Sequence, residues 1–464
     1  MSDMNSLVNL RNLKRNKYNY RFVKNLNNIV LFLIASILLL CASNIQWSKN
    51  NWSAIIEADG KGYYAYLPAT FIYNDLNFTF FDSIEKKYPN PRLYYDYRVG
   101  EKGREVNKYF AGTAIAMFPF FMSAHVTSMM TGFDADGYSK LYPIMINVAA
   151  IFYLILGLFY LKKILLHYNA SNKQSAFIIV AITFATNLFY YAVCEPAMSH
   201  VYSFGFVTMF IHYALRFFAQ PSSRIYFILC VLLGLIVLIR PVNGLTLLII
   251  PFLAGNYKTL LSGIQYLKMN FLNTTVGVLI TIIIVFIQFL IYKIQTGNFF
   301  VDSYPSESFH FASPHIIDFL LSYKKGLFIY TPIVFISLFG AYYLFKKNKF
   351  QLYTLLGFIV VLVYVLSSWW NWWYGGSFAT RVFVEYYAVV ALLLLFAYQA
   401  LQQRWKRNIY SAIIVITLLI CQVQTYQYRY YVIHWEKMDK EHYWRVFLQL
   451  NKLGENNPNK DLLE

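Results

Sequence analysis

Charged residues are scarce in this chain of 464 residues: 13% of the composition, against 58% hydrophobic. That scarcity excludes an ordinary soluble domain. Cysteine is scarce too. Cys41, Cys194, Cys230 and Cys421 are far apart, lie in or beside apolar runs and form no CxxC pair, so neither a zinc site nor a disulfide framework is indicated. Small polarizable core residues are the better reading. No HExxH, GxSxG, Walker loop or dinucleotide fingerprint occurs among the polar segments, which leaves zinc proteolysis and nucleotide-driven chemistry without support. No internal repeat is visible either, and this weighs against an inverted-repeat transporter. Acids are fewer than bases, 22 against 40, for a net charge of +18. The excess does not imply nucleic acid. The bases are spread over short loops between apolar runs and form no continuous patch. They read as topology signals and as contacts with anionic membrane lipids.

What the chain has in quantity is apolar runs. Mean hydropathy is +0.43, aromatics make up 20%, and runs near or above ~18 residues recur. The expected fold is all-α, a polytopic helical membrane protein, because lipid-exposed backbone must satisfy its hydrogen bonds within one segment. About eleven spans are expected, near 28–46, 141–161, 174–193, 199–218, 225–239, 242–255, 271–292, 327–345, 351–368, 382–401 and 409–426. A basic stretch at 11–24 precedes the first run, and CAS (41–43) follows it. A cleaved signal is weighed here, but the basic region is long and Leu40 stands before Cys41, so a retained first span is favoured.

The stretch 109–131 is apolar but carries Gly112 and Pro119. Positive charge decides how to treat it. If it does not cross, the N-terminus, Lys162–Lys163, Arg216 with Arg224, Lys258 with Lys268, Lys346–Lys347 and Arg404 to Arg407 share the cytoplasmic face. If it crosses, every one of these after the N-terminus falls outside. The bias of Lys and Arg toward cytoplasmic loops selects the first arrangement. The expected organisation is a cytoplasmic basic N-terminus (1–27), a membrane domain (28–426) and an extracytoplasmic tail (427–464). The domain's first extracytoplasmic loop (47–140) contains 109–131 as an interfacial helix.

This sidedness gathers the polar segments on one face. EADGKGYYAYLP (57–68) offers Glu57 and Asp59 as proton acceptors or cation ligands, Gly60 and Gly62 for a tight turn, and Tyr63 and Tyr64 for packing on sugar rings. Lys108 enters 109–131 at headgroup depth, where it can meet a lipid-linked phosphate or simply anchor the helix. Glu195 and His200 occupy a short external turn; Glu195 suits substrate or metal binding, and His200 is either a ligand or base or a hydrogen-bonded structural residue. Arg240 interrupts two apolar runs. An arginine at mid-membrane costs roughly 2.5–3.5 kcal/mol on insertion scales, so it should face a polar cavity or a phosphate, which its fork of donors suits. In WWNWWYGGSFATRVFVEYY (369–387), Arg381 reads as a phosphate or sugar contact, or as an ion pair with Glu385 at helical spacing.

The chain resembles the GT-C superfamily of polytopic glycosyltransferases, which includes protein O-mannosyltransferases and lipid A aminoarabinose transferases. The resemblance rests on the acidic pair after the first span, the surface helices before the second, Glu195 in the next short external turn, and WWYGGSFATR (372–381). It implies a membrane glycosyltransferase in the bacterial inner membrane. The sugar would move, with inversion, from a polyprenyl-phosphate donor to an extracytoplasmic lipid, glycan or protein acceptor. Carried over, the base role falls on Asp59, with Glu57 as second choice, and Glu57, Asp59 and Glu195 are the candidates for a divalent cation. The chain departs from a minimal acidic loop in its insertion at 89–108. An O-antigen polymerase or ligase and a lipid-linked-glycan flippase are the competing readings. The large first external region argues against the former, and polar residues gathered at span ends argue against the latter.

Overall fold

In the computed structural model, residues 25–48, 51–89, 94–101, 104–305 and 307–450 are described. The basic segment 11–24, part of the 89–108 insertion and the end of the tail lie outside the described residues.

The chain is helical nearly throughout. After α1 (Asn25–Ile45) come α2 (Asp59–Phe71), α3 (Phe81–Lys87) and a small hairpin of β1 (Arg98–Glu101) and β2 (Arg104–Asn107). Then follow α4 (Gly112–Thr131), α5 (Leu141–His167), α6 (Asn172–Phe184), α7 (Leu188–Val193), α8 (Ser199–Ala219) and α9 (Ser223–Ile239). A 3₁₀ segment, Pro241–Ile249, leads into α10 (Ile250–Ala254), α11 (Tyr257–Met269), α12 (Phe271–Thr296) and α13 (Ile316–Leu321). The rest is α14 (Leu327–Tyr330), α15 (Pro332–Ser337), α16 (Gly340–Lys347), α17 (Lys349–Ser367), α18 (Tyr387–Ala400), α19 (Arg404–Arg429) and α20 (Lys440–Val446), with a 3₁₀ turn, Arg381–Tyr386, before α18.

Among the described residues, eight helices, α4 among them, are each long and apolar enough to span a membrane on their own, and the apolar helices Ser223–Ile239 and Pro241–Ala254 are shorter. Three expectations need correction. The run 327–345 is broken into α14, α15 and α16, with Pro332 at the first break, where its missing N–H cannot continue a helix. The run 174–193 is interrupted between α6 and α7, where Thr186 and Asn187 turn their polar side chains onto backbone carbonyls. Finally, a hairpin exists. It pairs Arg98 with Asn107 and Val99 with Val106 antiparallel, outside the apolar runs, where the lipid argument against strands does not apply.

Polar side chains tie the helix ends into two layers. In one, Trp47 Nε1 donates to Asn147 Oδ1 (2.9 Å), Asn147 Nδ2 to the Ala192 carbonyl (2.9 Å) and Gln46 Nε2 to the Cys194 carbonyl (2.8 Å). In the other, Asn27 Nδ2 donates to Asn172 Oδ1 (2.9 Å), Lys162 Nζ to Asn28 Oδ1 (2.8 Å), Asn348 Nδ2 to the Gly255 carbonyl (2.8 Å) and Gln399 Nε2 to the Tyr168 carbonyl (2.7 Å). A capping box at Ser171 and Gln174 opens α6 in this second layer.

Helix α4 touches the first layer at two separated points. Gly112 meets the backbone of Leu238 and Ile239 at the end of α9, and His125 Nδ1 bonds the Tyr142 hydroxyl at the start of α5 (2.6 Å). The core between the layers is almost wholly apolar and aromatic. Leu154, Leu158, Val201, Phe204 and Leu392 are fully buried in it.

Candidate functional site

The first layer encloses a cavity of about 1690 Å³. Its wall includes Glu57, Asp59, Tyr63, Lys108, Tyr109, Glu195, Arg240 and Arg381. Asp59 opens α2, directly after Ala58, whose φ of 46° and ψ of −133° lie where only glycine is at ease. Strain of that kind costs of order 1–3 kcal/mol and is kept where the surroundings demand it.

The glycines beside the acids serve close approach, not a turn, since both lie inside α2. A Cβ on Gly60 would stand 2.6 Å from the Ala197 Cβ, and one on Gly62 would overlap the Tyr109 ring. Removing two side chains thus lets α2 rest against the Glu195 turn and against Tyr109.

Asp59 is held at two points. Arg381 Nη2 lies 2.8 Å from its Oδ2, and the Tyr109 hydroxyl donates to its Oδ1 at 2.8 Å. Tyr95 in turn bonds the Tyr109 hydroxyl. Burial pushes the Asp59 carboxyl upward, but Arg381, the Tyr109 hydroxyl and Lys108 outweigh it and hold Asp59 below the ordinary aspartate range. Arg381 also points Nη1 at Met198 Sδ (3.7 Å), a weak acceptor, so its fork has donors to spare.

Glu57 and Glu195 are of the opposite character. Burial, then the neighbouring Glu195, raise the Glu57 carboxyl to about 8, against the pull of Arg429 and Lys61. Burial likewise lifts Glu195 to about 7, although the Tyr190 hydroxyl donates to its Oε1 at 2.8 Å. Its Oε2 is buried without a hydrogen-bond partner. Both therefore hold their protons to a higher pH than an ordinary carboxylate does.

Arg240 reaches the cavity from the end of α9. Its Nη1 lies 3.1 Å from Glu385 Oε1 and 3.2 Å from His200 Nδ1, and His200 Nδ1 is 3.0 Å from the same Glu385 oxygen. The expected Arg381–Glu385 pair does not form. The segment starts as a 3₁₀ helix, whose three residues per turn do not align positions i and i+4. Glu385 anchors Arg240 instead. His200 lies behind Arg240, 2% exposed, and is not on the cavity wall.

Tyr64 also leaves the expected set. It is fully buried away from the cavity, with its hydroxyl on the Gly137 carbonyl. Tyr63 does reach the wall, its ring 4.7 Å from that of Tyr109. Lys108 reaches it too, but its ammonium pairs with Glu307 and sits 5.0 Å from the Tyr304 ring centroid. Lys61 faces elsewhere and pairs with Glu85 at 2.6 Å.

The sequence reading missed several members. Tyr95, Tyr109, Tyr304 and Glu307 line the cavity, as do Arg429 at the end of α19 and His434 and Trp435 from the segment after it. Lys325 supports the loop that carries Arg381. Its ammonium donates to the Ser377 carbonyl, its own carbonyl accepts from Thr380 Oγ1 at 2.6 Å, and burial lowers it to about 7. The signal available for these was weak, because tyrosine and tryptophan recur all along the chain. Among the described residues, no three His, Cys, Asp or Glu side chains are grouped closely enough to hold a metal ion. Both Asp59 oxygens are engaged by Arg381 and Tyr109.

No family model matches the chain, and no curated protein matches it. Among solved structures, it is similar to the archaeal oligosaccharyltransferase AglB from Archaeoglobus fulgidus, solved in complex with an inhibitory peptide and a dolichol-phosphate. The identity is 12% and the TM-score 0.49, over 94% of this chain and 61% of that one, so this chain spans less than two thirds of that protein's length.

Proposed function

We propose that this protein is a membrane glycosyltransferase of the GT-C type, moving a sugar from a polyprenyl-phosphate donor to an acceptor on the extracytoplasmic side. The observation that carries the reading is Asp59. It is an ionised carboxylate in a large cavity, held by an arginine with spare donors, and the same cavity wall carries a second arginine anchored from behind. The cavity belongs to the layer opposite the basic loops 162–173, 255–268 and 346–349, and the bias of Lys and Arg toward the cytoplasm puts it outside. In this reading α4 lies along the membrane surface, and Lys108, Tyr109 and Phe110 just before it line the cavity.

The chemistry is a single displacement. An acceptor hydroxyl attacks the anomeric carbon, the bond from that carbon to the phosphate oxygen breaks, and polyprenyl phosphate departs with the electron pair. The acceptor proton passes to Asp59, and the configuration inverts. Arg240 and Arg381 supply fixed positive charge where the phosphate accumulates negative charge. Arg381 has a second task. While it pairs with Asp59 it keeps the carboxylate ionised but weakly basic. Turning toward an arriving phosphate would return basicity to Asp59 at the moment a base is needed. Lys108 joins the phosphate site only by giving up Glu307.

The test is a transfer assay in membranes with a panel of polyprenyl-phosphate sugars, comparing wild type with Asp59→Asn. The expected loss is roughly 10²–10⁴-fold. Full transfer by a normally inserted Asp59→Asn protein would remove Asp59 from the base role.

A further inference from the structure

The cavity has two chemically distinct sides, with Asp59 and Arg381 between them. On one side, Tyr63 and Tyr304 both lie in the fields of Asp59 and Arg240, and Tyr374 in those of Arg240 and Arg381. Two arginines among phenols make a side suited to phosphate. On the other side, Glu57 is within electrostatic reach of Glu195 and Arg429, and Glu195 is within reach of Asp59 and Arg381. The cavity wall also holds the segment after α19, which begins next to Arg429. Trp435 lines the cavity with its indole packed on Gly376, and 41% of the residue remains exposed.

The second side is poorly suited to an anion, since two carboxyl groups face it. Nor is it an apolar pocket. Glu195 is 92% buried, yet its Oε2 has no hydrogen-bond partner, and Arg429 Nε is likewise buried without one. Buried polar atoms without partners are costly unless something else completes them. A ligand that completes them must offer several hydroxyls at close spacing and an apolar face for the indole. A pyranose ring has both: C–H bonds that lie on an aromatic face, and equatorial hydroxyls that both donate and accept.

We propose that Glu57, Glu195, Arg429 and Trp435 form the acceptor subsite, and that the acceptor they bind is a carbohydrate. This rests on the glycosyltransferase reading above and adds the chemical class of the acceptor. The division explains why Asp59 is placed as it is. A hydroxyl of a sugar lying on Trp435 would approach Asp59 from the side opposite the phosphate, as in-line displacement requires. It also gives the segment after α19 a task. That segment is tied back to the cavity layer by Gln424 Nε2 on the Tyr443 hydroxyl (2.7 Å) and Trp444 Nε1 on the Tyr323 hydroxyl (3.2 Å).

Saturation-transfer NMR on the full chain in lipid nanodiscs tests this without turnover. The probes are methyl glycosides of glucose, galactose, mannose, rhamnose and N-acetylglucosamine, with a serine-containing tripeptide as the protein-acceptor comparison. At least one glycoside is expected to bind wild type. Trp435→Ala and Arg429→Gln should each weaken it roughly tenfold. Arg429→Gln serves as the second variant should Trp435→Ala fold poorly, which its unfolding profile would show. No glycoside signal from wild type, or a signal unchanged in both variants, overturns the proposal. A tripeptide signal lost in Trp435→Ala, with none from the glycosides, also overturns it and assigns the subsite to protein. Failure of the transferase reading shows separately, as absence of wild-type transfer in the polyprenyl-phosphate assay.

Discussion

Asp59 and the Glu57–Glu195 pair show how neighbours, not residue type, set the task of a carboxyl group. Asp59 has an arginine at 2.8 Å and a phenol at 2.8 Å, and stays charged. Lysine in place of Arg381 would carry the same charge but lose the fork that can hold Asp59 and a phosphate together, so Arg381→Lys should cut transfer roughly tenfold or more. A variant at wild-type rate would reduce Arg381 to a simple counter-charge. The glutamates have a pH signature. Their folded pKa values are raised, so their contribution to stability is complete below the ordinary glutamate range. It is lost as pH rises through about 7 for Glu195 and about 8 for Glu57. The groups whose charge or hydrogen bonds act on them are Glu195, Arg429 and Lys61 at Glu57, and Tyr190, Arg381, Asp59 and Lys325 at Glu195. Thermal unfolding in nanodiscs should therefore show a midpoint that falls from about pH 5 to about pH 8 and levels off above, and Glu57→Gln should flatten that fall. An equally steep fall in Glu57→Gln would mean that other groups drive it. Asp59, Glu195, Arg240 and Arg381 were legible in the sequence because an ionisable residue stands out among apolar runs. Tyr109 and Trp435 were not, because one residue in five is aromatic and nothing local separates a wall residue from a core one.

Helices were legible as apolar runs, but their continuity was not. Hydropathy reports that 327–345 avoids water. It does not report that Pro332 interrupts the hydrogen-bond ladder there, nor that Arg381–Tyr386 winds as a 3₁₀ turn and sends Glu385 to Arg240. The glycines of α2 were read for flexibility, whereas the structure uses their lack of a side chain. Gly62 is the sharper case. A methyl group there overlaps the Tyr109 ring, and Tyr109 is the phenol on Asp59. Gly62→Ala should cost about 1–3 kcal/mol through overpacking. It should also reduce transfer by freeing Asp59 from Tyr109. If Gly62→Ala is as stable and as active as wild type, the approach of α2 to Tyr109 is not what fixes Asp59.

At the scale of the molecule, the two layers of helix ends decide which groups can meet. Every cavity residue comes from one layer, and the short basic loops 162–173, 255–268 and 346–349 come from the other. In the broken segment α14–α16 no single helix is long enough to cross. Yet its two ends belong to different layers. The chain before it supplies Tyr304 and Glu307 to the cavity, and Asn348 after it bonds Gly255 in the opposite layer. The three pieces must therefore cross together, sheltered by their neighbours where the ladder is broken. Cysteines placed at the exposed Asn298 and Lys347 report the crossing directly. With a membrane-impermeant maleimide on intact cells, Asn298→Cys should be labelled at once, and Lys347→Cys only after the membrane is opened. The four native cysteines give little background, three being buried and Cys41 partly so. Labelling of both from outside would show that α14–α16 returns to the face it left. Labelling of Lys347→Cys alone would turn the protein over and put Asp59 in the cytoplasm, where a donor assembled on the outer leaflet could not reach it.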